Sequence, residues 1–131
     1  MPRRRVGDWG RSGVFQDRLG RMHRYRSLCE RRRMMALDAA GVEFRVEALR
    51  LRYYFEGRPR TYVTDLLVFW WENGRQVTRI EEVKPRVRWK DPQNLAKWRA
   101  AATWCAAHGY QFLVVDESTL LKAHPPPSVG V

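Results

Sequence analysis

Apolar and polar residues alternate most clearly in the middle of the chain. Thr61 to Trp71, rich in β-branched and aromatic residues, reads as one strand. Asn73-Gly74 follows as a two-residue turn signal, because both central positions of a type I′ turn require positive φ, and Gln76 to Lys84 reads as the returning strand, ended by Pro85. Upstream, Val42, Phe44 and Val46 alternate, and so do Leu49, Leu51, Tyr53 and Phe55. They predict a first strand and either its continuation or a second strand after a bend, closed by a turn over Glu56-Gly57-Arg58-Pro59.

Two stretches carry helical spacing. Ser27 to Ala40 has a capping-box start (Ser27 with Glu30 three residues on) and Gly41 as its stop; Met34, Met35 and Leu37 supply apolar surface and Arg31 to Arg33 a basic face. Asp91-Pro92 provides an N-cap and a first-turn proline, Leu95, Trp98, Ala102 and Cys105 fall on one face, and Gly109 ends the second helix. Tyr110 to Val115 is a continuous apolar strand, expected in the sheet interior, and Leu120 and Leu121 a last helical turn. Residues 1–24, with glycines at 7, 10, 13 and 20 and little periodicity, read as a mobile basic arm with a short helix around Val14 to Leu19; residues 124–131 read as a frayed Pro-rich tail. The body between them, 25–123, is one domain in the order helix, three strands, helix, strand. The second helix has the length of a crossover that makes the last strand parallel to its neighbour, which gives an α/β fold: a mixed central sheet flanked by helices.

Charge changes the picture. Net charge is +11, and residues 1–33 hold eleven Arg against three acids, a balance of +8. Arginine's planar fork matches phosphate, so a polyanion, DNA above all, is the expected partner, the alternative being a solubilising tail or membrane-surface arm. The DNA-contacting candidates are Arg3, Arg4, Arg5, Arg11, Arg24, Arg26, Arg86, Arg88, Trp89 and Lys90. No apolar run approaches the roughly 20 residues of a membrane span, and no apolar segment follows the N-terminal arginines as in a secretory signal. Two cysteines, Cys29 and Cys105, make neither a disulfide framework nor a zinc site; as buried apolar side chains they fit a reducing, cytoplasmic setting. Trp70, Trp71, Trp98 and Trp104 are expected in the core. His108 is expected to complement its helix C-terminus.

Glu82 and Lys84, two residues apart on one strand, share a face, while Glu81 is out of phase and points the other way. Asp65 precedes an apolar run on the partner strand, where an acid is costly without a partner. Taken alone, Glu82 and Lys84 also fit a structural ion pair, and Glu30 also fits a carboxylate bonded back to the Ser27 amide.

Tyr62-Val63-Thr64-Asp65, then Glu82-Val83-Lys84-Pro85, with Glu30 on the helix before them, resembles the PD-(D/E)XK nuclease superfamily, and within it the TnsA-type transposase endonucleases. The similarity runs from about Tyr25 to Glu117 and includes His108-Gly109-Tyr110 with Phe112 to Glu117; Thr64 stands where that family usually has proline. The resemblance implies a restriction-endonuclease-like αβββαβ core and metal-dependent hydrolysis of DNA in transposition, recombination or phage DNA processing. It implies a bacterial or phage-encoded protein, with a protein partner supplying target specificity and with oligomers allowed. Mg²⁺ favours one or two carboxylates with water and phosphate oxygens. Asp65, Glu82 and the Val83 carbonyl are the expected ligands, with Mn²⁺ as a substitute; Glu30 would hold a second ion or a metal-bound water, and Lys84 would orient or deprotonate the attacking water or stabilise the developing charge. The reading from another class is a non-catalytic DNA-binding or structural module that keeps the nuclease fold.

Overall fold

The computed structural model describes residues 11–122. Arg3, Arg4, Arg5 and the Pro-rich tail lie outside them. The first described elements are two short antiparallel strands, β1 (Gly13–Gln16) and β2 (Met22–Tyr25), in place of the expected helix at Val14 to Leu19. The Asp17 side chain explains the difference. It accepts the amides of Leu19 and Arg21, both at 2.9 Å, and His23 Nε2 at 2.9 Å, which builds a turn instead of a helix. The hairpin is docked on the domain: the Arg18 amide bonds the Asp38 carboxylate, and the His23 ring lies 4.2 Å from that of Phe44.

Helix α1 (Leu28–Ala39) starts as its sequence signals, with Ser27 Oγ accepting the Glu30 amide at 3.1 Å. Four strands follow in chain order: β3 (Glu43–Val46), β4 (Arg50–Phe55), β5 (Arg58–Val63) and β6 (Leu66–Glu72). Then come β7 (Arg75–Val83), a 3-10 turn at Arg86–Arg88, helix α2 (Pro92–His108) and β8 (Gln111–Val115). Asp91 caps α2 through the Gln93 amide, and Gly109, at φ 72°, closes it in a left-handed conformation suited to glycine.

The expected single strand Thr61–Trp71 is two. The chain breaks at Thr64-Asp65: β5 pairs with β4 in a two-stranded sheet, while β6 pairs with β3 and β7 in the main sheet. The β3–β4 connection turns at the same level, with Glu47 at φ 51°, its amide bonded to the Asp65 carbonyl at 3.0 Å and the Thr64 amide to the Leu49 carbonyl at 3.0 Å. Both bends hold because their backbone groups satisfy one another.

The main sheet runs β3-β6-β7-β8, antiparallel except for the parallel β7–β8 pair produced by the α2 crossover. It is an α/β fold with a mixed sheet between two helices, compatible with the restriction-endonuclease-like class. β8 is the terminal strand rather than an interior one; its apolar run is buried by the layers above and below. One face, with Phe44, Leu66, Val68, Leu113 and Val115, packs on Cys29, Met34 and Leu37 of α1. The other, with Leu67, Ile80, Phe112 and Val114, packs on Trp98, Ala101 and Cys105 of α2 and on Leu51, Tyr53 and Tyr62 of the β4–β5 hairpin. Both cysteines are buried as expected, and burial pushes the Cys105 thiol up to about 11. Trp98 is wholly buried, but Trp71 near the β6–β7 turn is 72% exposed and Met35 faces solvent.

Arg33 departs most from expectation, because it is completely buried instead of sharing a basic face with Arg31 and Arg32. Its Nε and Nη2 donate to the two oxygens of Glu81 at 2.8 and 2.9 Å, and its Nη1 donates to the carbonyls of Leu120 and Lys122. Arg79, also buried, lies 3.6 Å from Glu81 Oε2, donates to Gln111 and rests 4.5 Å above the Trp70 ring. One carboxylate thus serves two guanidinium groups inside the protein. Glu81→Gln should lower unfolding stability by about 3–5 kcal/mol in urea titration, because it strands both cations.

Candidate functional site

The site forms where the two helical layers meet the end of the sheet. The β6–β7 pairing sets Leu66 across from Glu81, so one step further brings Asp65, at the strand break, beside Glu82. β7 faces Glu82 away from Glu81, as alternation requires. The start of α1 brings Glu30 and the preceding Arg26. Arg26, Glu30, Tyr62, Asp65, Glu82 and Lys84 line one cavity of about 550 Å³; Arg88 and Lys97 stand on its wall.

Asp65 Oδ2 accepts the Val83 amide at 2.9 Å, and its Oδ1 meets the Arg26 guanidinium in a short ion pair. Glu82 Oε1 accepts the Tyr62 hydroxyl at 2.6 Å, and its Oε2 lies 3.5 Å from Lys84 Nζ. Glu30 is held differently from the capping-box expectation. Its Oε1 accepts the amide of Arg26 at 2.8 Å rather than that of Ser27, while Oε2 is 3.7 Å from Arg26 Nε. The four residues singled out by sequence therefore line one cavity, and Glu81 lies on the opposite face, bonded to Arg33.

The gathering of acids shows in Asp65 and Glu30. Burial, then the charges of Glu82 and Glu30, push Asp65 well above the usual carboxylate range against the pull of the Val83 amide and Arg26. Burial also raises Glu30. The Tyr62 hydroxyl is driven well above its ordinary value by burial and by Glu82, and so stays a proton donor to that carboxylate. Burial draws the Arg26 guanidinium down, but the surrounding carboxylates, Asp65 first, outweigh it and raise it overall.

Among the described residues no three His, Cys, Asp or Glu side chains form a ready-made metal cage. Mg²⁺ does not need one: it takes one or two carboxylates and completes its shell with water and substrate oxygens. The buried, mutually repelling pair Asp65 and Glu82 at an open cavity fits such an ion by donor chemistry and by charge.

The DNA-contacting candidates fall in several places. Arg11, just before β1, and Arg24, on β2, are exposed. Arg86, Arg88 and Lys90 are exposed beyond β7, with Arg88 at the cavity. Trp89 is half-buried: its Nε1 donates to the Lys84 carbonyl at 3.1 Å, and its ring packs edge-on to Trp98 at 5.8 Å. It props the strand end instead of presenting a free ring. His108 sits in the last turn of α2, stacked on Trp104. Sequence reasoning missed Tyr62 as the group that orients Glu82, although the Tyr62–Asp65 stretch contained it. It also missed Lys97, whose Nζ lies 5.5 Å over the Tyr62 ring and which carries no spacing signal.

A mixed α/β fold with acids gathered at the end of its strands places the protein among the restriction-endonuclease-like folds. The chain belongs to the TnsA-like endonuclease N-terminal family, whose model matches residues 39–117. The match includes Tyr62, Asp65, Glu82 and Lys84 and begins after Arg26 and Glu30. No curated protein matches the chain significantly. No helix of the described residues is long and apolar enough to cross a membrane.

The raised Asp65 has a thermodynamic sign. An acid whose folded value lies above its unfolded one, 3.8, gives its full stability below that value and loses it as pH rises through the folded value. Asp65→Asn should therefore raise the melting temperature of metal-free protein at neutral pH, and the gain should vanish near pH 4; melts in EDTA across that range check it.

Proposed function

We propose that the protein is a Mg²⁺-dependent DNA endonuclease with Asp65, Glu82 and the Val83 carbonyl as metal ligands, Glu30 as an accessory acid and Lys84 as the residue that activates water. The observation that supports this reading most is the convergence of Asp65, Glu82, Lys84 and Glu30 on one open cavity, with the buried Asp65 carboxyl pushed well above the usual carboxylate range. Family membership supports the endonuclease class. Bound there, a divalent ion would act as a Lewis acid on the scissile phosphate and lower the pKa of water.

The chain's own groups have separable tasks. Tyr62 fixes the Glu82 carboxylate by donating to one oxygen, and the Val83 amide fixes Asp65 in the same way. Lys84 is partly open to the cavity, with a side-chain exposure of 26%, and it presents its ammonium beside Glu82, where it can orient an attacking water or meet charge developing on phosphate. Arg88 and Lys97 on the cavity wall attract the substrate backbone, and the strongly basic N-terminal quarter adds salt-dependent affinity. Action in transposition, recombination or phage DNA processing, with a protein partner directing the target, is the setting that fits a domain of this family.

Plasmid incubated with Mg²⁺ or Mn²⁺ should be nicked or linearised, and EDTA should stop it. A panel of linear duplex, flap, four-way junction and single strand then sorts the substrate. A folded protein that binds DNA and cuts none of these would favour the non-catalytic module. Lys84→Ala should melt near wild type and bind metal, yet lose about 10²–10⁴-fold in cleavage rate. Wild-type cutting by that variant would remove Lys84 from the mechanism. Tyr62→Phe should weaken metal binding about 10–100-fold, read by calorimetry.

A further inference from the structure

We propose that Arg26 is a built-in counter-ion for the carboxylate cluster, holding the position that a divalent cation takes and yielding it when the ion enters. The inference rests on the metal-dependent reading of the site.

Asp65 has two oxygens. The backbone amide of Val83 takes one, and the oxygen left for a cation is the one that meets the Arg26 guanidinium. The same side chain sets its Nε 3.7 Å from Glu30, so one guanidinium spans two of the three acids, and Glu82 adds its field. Without such a charge, three buried carboxylates at one strand end would repel one another with little solvent to screen them.

Two guanidinium groups in this protein show how a permanent partner differs from a removable one. Arg33 is fully buried, grips Glu81 with two parallel hydrogen bonds and is tied to two carbonyls besides. Arg26 reaches Asp65 through one terminal nitrogen, and its side chain is 55% exposed at the cavity mouth. Its long stem can swing into solvent without opening the core. A divalent ion concentrates twice the charge and accepts oxygens from both Asp65 and Glu82, so it outcompetes the guanidinium for this cluster. The displaced fork stays at the rim, where phosphate oxygens are its natural ligands.

Competition lowers the apparent metal affinity of the wild-type protein by the fraction of time the site is free of Arg26. Calorimetric titration of Mg²⁺ and Ca²⁺ into DNA-free protein, with thermal melts in EDTA, tests this on wild type, Arg26→Ala, Arg26→Lys and Asp65→Asn. Arg26→Ala should bind the ion roughly tenfold tighter or more, since the competing charge is gone. It should melt lower than wild type in EDTA, and saturating Mg²⁺ should close that gap. Arg26→Lys, which keeps the charge and loses the fork, should fall between. If Arg26→Ala is too unstable to titrate, Arg26→Gln carries the same comparison. Wild type that binds Mg²⁺ in an Asp65-dependent manner, with an Arg26 variant that binds it no tighter, overturns the counter-ion role and leaves the metal site standing. Wild type that binds neither ion overturns both.

Discussion

Neighbouring residues on a strand cannot face the same way, and this domain assigns opposite work to two adjacent glutamates on that account. Glu81 points into the layer under α1, where Arg33 and Arg79 surround it and Arg33 carries the connection on to the carbonyls of Leu120 and Lys122. Its charge is overcompensated, and through the other bonds of its two arginines it ties α1 to β7, β8 and the end of the described chain. Glu82 points to the other layer, where a phenol and a partly exposed lysine are its neighbours and further acids stand close by. One carboxylate is sealed into the scaffold; the other is held in position at an open cavity.

Those acids can gather only because the sheet ends there. The chain leaves the β3–β6 pair at two facing bends, one through Glu47 and one through Thr64-Asp65, and continues as a separate hairpin over α2. The divergence opens a cavity bounded by both layers, so that α1 can contribute Glu30 and Arg26 while the β4–β5 hairpin contributes Tyr62. Burial raises the energy of the acids, and access to solvent keeps the space open to an ion or a phosphate. A fully enclosed version would protonate or recruit a permanent cation, as Glu81 has done.

Much of this was legible in the residues. The helix boundaries followed from Ser27, Asp91-Pro92 and Gly109, the central turn from Asn73-Gly74, and the parallel last strand from the crossover length. Alternation separated Glu81 from Glu82 without any structure. Missing were facts that depend on contacts between distant residues. The break at Thr64-Asp65 is invisible to periodicity, because β-branched and apolar residues run through it; the bonds to Leu49 and Glu47 impose it. Arg33 reads as a solvent-facing charge in a run of three arginines until its partner, 48 positions away, is known. At the N-terminus, the glycines and arginines masked a hairpin that one aspartate organises with its own neighbouring amides.

The turn at the far end of the β6–β7 hairpin bears on chemistry it never touches. Asn73 and Gly74, at φ 51° and 76°, join Glu72 directly to Arg75 with two residues between them and so lock the two strands in step. Were β7 to slip by a single residue, every side chain on it would change sides. Glu81 would then enter the cavity, and Glu82 would be presented to Arg33. The distinction between scaffold and site is therefore a matter of parity, counted from a surface turn that contains neither glutamate.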